Sequence, residues 1–226
     1  MVVGVRLNPS AASLVLALLA ALAARPVAAA LQVAVSSGGQ PVASAVVTLT
    51  PIGRAATVTP MDAVMDQVGS EFQPRVLVVT KGSRVRFPNS DTIRHQVYSF
   101  SAPKRFELPL YTGTLPEPVV FDRAGVVTLG CNIHDWMKGY IVVVDTPHHA
   151  LTGADGRVRF DVPAGNYLLT AWHERLPTID AAPKQTITVP MAAPATLDLP
   201  LAAPPPPRGT DRLRALQDRF RNPPRD

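Results

Sequence analysis

Short runs of Val, Ile, Leu, Thr and Tyr recur along the chain, punctuated by Gly, Pro, Asn and Asp, and no long stretch has a helical period. The pattern predicts strands over 32–36, 45–50, 75–80, 84–88, 95–100, 119–121, 126–129, 140–144, 158–162, 167–172, 185–189 and 196–199. Turn chemistry separates them at Ser37-Gly38-Gly39, Lys81-Gly82-Ser83, Asn89-Ser90-Asp91, Asp155-Gly156 and Pro163-Ala164-Gly165. That spacing points to an all-β protein built from antiparallel sandwiches rather than βαβ units.

The two ends depart from this pattern. Residues 11–23 form an uncharged apolar run after Arg6, closed by Arg25 and Pro26 and followed by the small residues Ala28-Ala29-Ala30. This reads as a secretory signal over 1–30, cleaved near Ala30, because the run is short for a bilayer span. The expected mature chain begins at Leu31 and works in the periplasm. From residue 202 onward, a proline run (Pro204 to Pro207) leads into a basic segment. There, Leu213, Leu216 and Phe220 fall on one face of a helix over 211–221. Two readings stand for this tail: a solvated disordered segment, or a tethered helix that offers the only expected membrane contact.

Charge changes the picture only after the ends are set aside. The formal net charge is +5, but Arg6 and Arg25 belong to the signal, and the tail holds six arginines against three aspartates. Residues 31–201 then balance fourteen basic against fourteen acidic side chains, so the folded body is neutral and carries no nucleic-acid footprint. About 196 residues remain after the signal, enough for one large or two small domains.

Cys131 is the only cysteine of the 226 residues, so it has no internal disulfide partner. In an oxidising compartment a free thiol must be buried, metal-bound or catalytic to survive. Within Cys131-Asn132-Ile133-His134-Asp135-Trp136-Met137, a histidine follows at three residues and a methionine at six. Thiolate, imidazole and thioether form the ligand set that soft or borderline copper prefers, and His95 upstream supplies a second imidazole. The expected layout has residues 126–129 leading into a loop that Cys131 opens and Met137 closes, with His95 at the start of a neighbouring strand. A Cys131–His134 nucleophile pair is the catalytic alternative. Three residues along a tight loop, however, places the imidazole to share a metal rather than to orient a base, and no enzyme is expected. His148, His149, His173, Met61 and Met65 stay outside the site.

At these residues the chain resembles the cupredoxins, the blue-copper proteins that include plastocyanin and amicyanin. The resemblance runs over 66–145. Its first half is carried by Phe72-Gln73-Pro74, Lys81-Gly82, Val85 to Asp91 and His95-Gln96-Val97. The second half is carried by Gly125 to Cys131 and Met137 to Val144. The C-x2-H-x2-M spacing is of the amicyanin type, and the whole chain further resembles exported cupredoxin-like proteins often labelled methylamine utilisation proteins. Departures are the flanking segments, a long connection over 99–117, and Trp136 inside the ligand loop.

The resemblance implies one type 1 copper held by His95, Cys131, His134 and Met137, with Asn89 bracing the thiolate loop. It implies a monomeric one-electron carrier whose partner is a redox protein such as a periplasmic cytochrome or dehydrogenase. His134 would be the electron port, and Ile133 and Trp136 the docking contact. A periplasmic protein that sequesters or handles copper is the alternative role. The flanking segments resemble the small transthyretin-like sandwich of carboxypeptidase regulatory domains. The expected order is 31–58 as its first part, 59–147 as the cupredoxin domain, 148–201 as its second part and 202–226 as the tail. An N-terminal extension with a separate C-terminal domain satisfies the same pattern.

Overall fold

The computed structural model describes residues 28–112 and 117–204. Most of the expected signal and the basic helical part of the tail lie outside the described residues. Among the described residues the fold is all-β, with one short 3-10 turn at Ile179–Ala181. Among the described residues no helix is long and apolar enough to cross a membrane.

The first segment supplies β1 (Ala28–Ser37), β2 (Gln40–Pro41) and β3 (Val46–Pro51). The middle segment begins with β4 (Asp62–Val64), β5 (Asp66–Gln67), β6 (Phe72–Gln73), β7 (Val76–Thr80) and β8 (Ser83–Arg86). It continues with β9 (His95–Ser99), β10 (Phe106–Tyr111), β11 (Val119–Phe121), β12 (Gly125–Cys131) and β13 (His134–Val144). The last segment holds β14 (His148–Leu151), β15 (Arg157–Pro163), β16 (Gly165–Trp172), β17 (Lys184–Val189) and β18 (Ala195–Asp198).

First and last segments share both sheets of one sandwich. β1 pairs antiparallel with β15 and parallel with β18, while β3 sits between β14 and β16, with β17 beyond. Alternation explains the core: Leu31, Val33 and Val35 of β1 meet Val47 and Leu49 of β3 and Tyr167, Leu169 and Ala171 of β16. The turn before β15 needs its glycine. Gly156 has φ +71°, and a Cβ there would stand 2.5 Å from the Val35 carbonyl oxygen.

The middle segment forms a second sandwich. Its larger sheet runs β10-β9-β12-β13-β7, and β11-β8-β4 forms another sheet. Val79, Val85, Phe87, Val127, Leu129 and Ile141 fill its core, together with Cys131 and Met137. β13 is buried on both faces near its end: Ile141 and Val143 point into this core, whereas Val142 and Val144 pack with Val46, Val126 and Trp172 of a third cluster. That third cluster joins the two sandwiches, and the Arg75–Glu174 ion pair at 2.6 Å spans the same joint.

Three differences from the sequence expectations matter for the site. The 99–117 connection contains β10, an edge strand whose pairing with β9 shifts between Leu108 and Tyr111, around Pro109. Proline at such a break is what hid the strand. β13 begins at His134 rather than Tyr140, so only Asn132 and Ile133 form the turn, and Met137 lies within the strand instead of closing a loop. β14, led by His148 and His149, is not among the predicted strands, and it pairs with β3.

Candidate metal centre

Two β-structures place the candidate ligands. β12 and β13 form a hairpin whose register shifts between Gly130 and Cys131, so that Cys131 comes opposite His134 across the two-residue turn. β9 lies on the other side of β12, meeting it at Gly130 and Tyr98, and His95 is its first residue. The Tyr98 ring fills the space a side chain at Gly130 would need, with a Cβ there only 2.7 Å from Tyr98 Oη. β9 and β12 thereby approach closely enough to bring His95 to the thiol.

The ligand atoms of His95, Cys131 and His134 all lie within 4.8 Å of one another. Among the described residues they are the one such group of three His, Cys or carboxylate side chains. Cys131 Sγ stands 3.9 Å from His95 Nδ1, and the two imidazole rings are 5.0 Å apart at an interplanar angle of 56°. Donors bound at roughly 2.0–2.3 Å to one metal lie at most about 4.3 Å apart, so the sulfur and this nitrogen already fit a common ion. His134 Nδ1 is buried and has no hydrogen-bond partner, although the residue is partly exposed. An orphaned buried nitrogen costs about 1–3 kcal/mol, a cost that coordination would remove. His95 and Cys131 are buried. Met137 is buried in the same core as Cys131 and lines the same cavity, of about 440 Å³, between the hairpin and Tyr98.

Electrostatics behind His95 were not foreseen. His95 Nε2 bonds to Asp91 Oδ2 at 2.7 Å, four residues back in the turn. Asp91 Oδ1 accepts the Gly69 N–H at 2.6 Å, and Oδ2 accepts the Ser70 N–H at 2.8 Å. Burial works to raise the Asp91 pKa, but the hydrogen bonds from Ser70, His95 and Gly69 outweigh it and hold the carboxyl below its usual range. An ionised carboxylate can only accept, so His95 Nε2 is the donor of this bond, and Nδ1 is the ring atom that faces the thiol. The sequence signal was an aspartate four residues ahead of a candidate histidine.

Asn89 acts on the histidine side of the site, not on the thiolate loop as expected. Its Nδ2 donates to the carbonyls of Ile93, at 2.9 Å, and Tyr111, at 2.7 Å, and its Oδ1 accepts the Asp91 N–H at 3.0 Å. It shapes the turn that carries Asp91 and His95. Behind it, Tyr111 donates to the Phe87 carbonyl and accepts from Gln67 Nε2, each at 2.5 Å. Burial above all pushes the Tyr111 pKa up to about 12.

The five residues kept outside the site are placed as follows. Met61 is exposed, whereas Met65 is fully buried in the core shared with Cys131 and Met137. His148 stacks edge-on to Tyr167, His149 Nδ1 lies 3.1 Å from the Thr146 carbonyl, and His173 Nδ1 accepts the Arg175 N–H. All three belong to the other sandwich. At the surface beside His134, Trp136 packs its ring 5.0 Å from the imidazole and is 50% exposed, and Ile133 is 49% exposed.

No protein-family model matches the chain, and no curated protein does. Among solved structures it is similar to a copper-containing nitrite reductase from Thermus scotoductus SA-01, at 28% identity and a TM-score of 0.35. That likeness covers 43% of this chain and 25% of the reductase, so the chain spans only a quarter of that enzyme. It is also similar to a purple cupredoxin from Nitrosopumilus maritimus, at 26% identity and a TM-score of 0.33, covering 37% of this chain and 100% of that one. An amicyanin variant in its reduced Cu(I) form matches at 22% identity and a TM-score of 0.34, over 43% of this chain and 98% of that one. With scores this low, a metal assignment rests on the side chains themselves.

Proposed function

We propose that His95, Cys131, His134 and Met137 hold one type 1 copper ion, and that the chain is an exported, periplasmic one-electron carrier. The observation that carries the reading is the convergence of a ring nitrogen each from His95 and His134 on Cys131 Sγ, with His134 Nδ1 buried and without a hydrogen-bond partner. Two imidazoles and a thiolate suit copper, and the buried thioether of Met137 supplies the weak fourth ligand. In this reading residues 31–58 and 148–201 make one discontinuous sandwich around the copper-binding segment 59–147.

When bound, copper supplies a Cu(II)/Cu(I) couple at this position. The chain's own part is to hold the ligands in one arrangement. Cys131 and His134 are fixed at the two ends of a two-residue turn, and His95 by a strand that Tyr98 locks against β12. Burial of His95, Cys131 and Met137 limits exchange of a bound ion, which favours a carrier over a protein that releases its copper. His134 is the ligand nearest solvent, and its ring contact with Trp136 offers the electron path to a docked redox protein, such as a periplasmic cytochrome or dehydrogenase. Ile133 and Trp136 provide the small apolar contact that transient redox partners use.

Protein-film voltammetry of the copper-loaded monomer tests this role. A reversible one-electron wave, with stopped-flow electron exchange to a periplasmic c-type cytochrome that slows in Trp136→Ala, is the expected result. An irreversible wave that releases copper on reduction would overturn the carrier reading.

A further inference from the structure

Asp91 has more hydrogen bonds than a turn requires, and its binding partners come from a distant segment. Gly69 and Ser70, about twenty residues upstream, both point their N–H groups at its two oxygens. Both adopt left-handed backbone, with φ +63° at Gly69 and φ +59° at Ser70. Ser70 gains no glycine-like freedom there, and a non-glycine residue in this region carries strain that surrounding structure must impose. Here that strain delivers two N–H groups to one carboxylate. On its other side Asp91 meets the Nε2 of a histidine with no solvent exposure, while the carboxylate itself is only 15% exposed. Asn89 fixes the Asp91 backbone from within the turn.

Resting on the copper reading, we propose that Asp91 is a positioning residue that acts through His95 and sets the preference of the site between Cu(II) and Cu(I). Three effects follow from the geometry. The carboxylate selects the Nε2–H tautomer, so Nδ1 is always the free donor. It fixes the plane of the ring, because a ring flip would break the 2.7 Å bond between Nε2 and the carboxylate. It also places a fixed negative charge behind the ligand, in surroundings where charges interact more strongly than in water. A metal gains one unit of charge on oxidation, so a nearby anion that makes the imidazole a stronger donor favours Cu(II) over Cu(I). The neighbouring Asp66 is committed elsewhere: it accepts from the Gln67 N–H and from Ser90. Asp91 is thus the carboxylate in contact with His95.

The test compares the unsubstituted protein with Asp91→Asn, which keeps the shape and one acceptor oxygen but removes the charge. Copper affinities are measured for both oxidation states by competition with chelators, alongside the visible spectrum. The expected result is a visible thiolate band in both proteins, with the ratio of Cu(I) to Cu(II) binding constants raised at least tenfold in Asp91→Asn. A tenfold change corresponds to a rise in potential of about 59 mV. A band in both with the ratio unchanged would overturn the inference while leaving the copper reading intact. No band in the unsubstituted protein would overturn the copper reading and this inference together. A second readout needs neither copper nor a variant. In the metal-free protein, long-range 15N–1H NMR should show His95 as the single Nε2–H tautomer with a slowly exchanging ring proton. A mixture of tautomers there would equally overturn the positioning role.

Discussion

Gly139 is a position on the β12–β13 hairpin where a single added methyl group would meet the buried core. It lies on β13 between Met137 and Ile141, among the inward-facing residues of that strand, and the Phe72 side chain occupies the space in front of it. A Cβ at Gly139 would stand 2.8 Å from Phe72 Cβ and 3.0 Å from its Cγ and Cδ2. Carbon atoms in good contact are about 3.5–4.0 Å apart, so the ring or the strand must move by roughly 0.5–1 Å. Phe72 is 1% exposed and has no free side to move into. Overpacking of this kind costs about 1–3 kcal/mol, against about 0.5–1 kcal/mol recovered by removing glycine from a strand. The expected net loss for Gly139→Ala is about 1–2 kcal/mol. Denaturant unfolding measures it as a lower midpoint with an unchanged slope. Phe72→Ala alone should cost about 3–5 kcal/mol. That change keeps Phe72 Cβ but removes Cγ and Cδ2, so Gly139→Ala should cost less in that background, with a coupling of at least about 0.5 kcal/mol. Equal costs of Gly139→Ala in both backgrounds would refute the packing argument.

Three further outcomes follow. Because the folded Tyr111 pKa is raised from 10.0 to about 12, the unfolded chain ionises first as pH rises. The contribution is complete below pH 10 and is lost as pH climbs toward 12, so the unfolding midpoint should fall over that window, less steeply in Tyr111→Phe. Trp172 is 9% exposed, packs on Val46, Val126, Val142 and Val144, and lies 5.4 Å from the Tyr140 ring. Trp172→Ala should therefore cost about 3–5 kcal/mol, measured calorimetrically. Loss of the Arg75–Glu174 pair at the same joint, where Arg75 is 44% exposed, should cost under about 1 kcal/mol.

What could be read from the chain followed from how local the signal was. Strands with dense apolar runs, such as β7, β12 and β16, announced themselves because both neighbours and core demand Val, Ile and Leu there. β10 did not, since an edge strand broken at Pro109 has no such run. The start of β13 was hidden because His134, Asp135 and Trp136 are partly or fully exposed and read as loop, although they pair in a tight hairpin. The convergence of His95, Cys131 and His134 was visible because donor chemistry and spacing reside in the residues themselves. The role of Asp91 was not, because Gly69 and Ser70 reach it only through folding, from a segment whose short strands β5 and β6 carry almost no pattern. Asn89 was assigned to the wrong side of the site for the same reason: its position was legible, but the direction of its hydrogen bonds was not.

The central claim is that Cys131 is a copper-bound thiolate beside two imidazoles. Titrating Cu(II) into the purified protein while recording its visible absorption tests this most directly. The account predicts an intense thiolate-to-copper band that saturates at one ion per chain and is absent in Cys131→Ala. A copper-loaded protein with no such band, or one whose band survives Cys131→Ala, would contradict it.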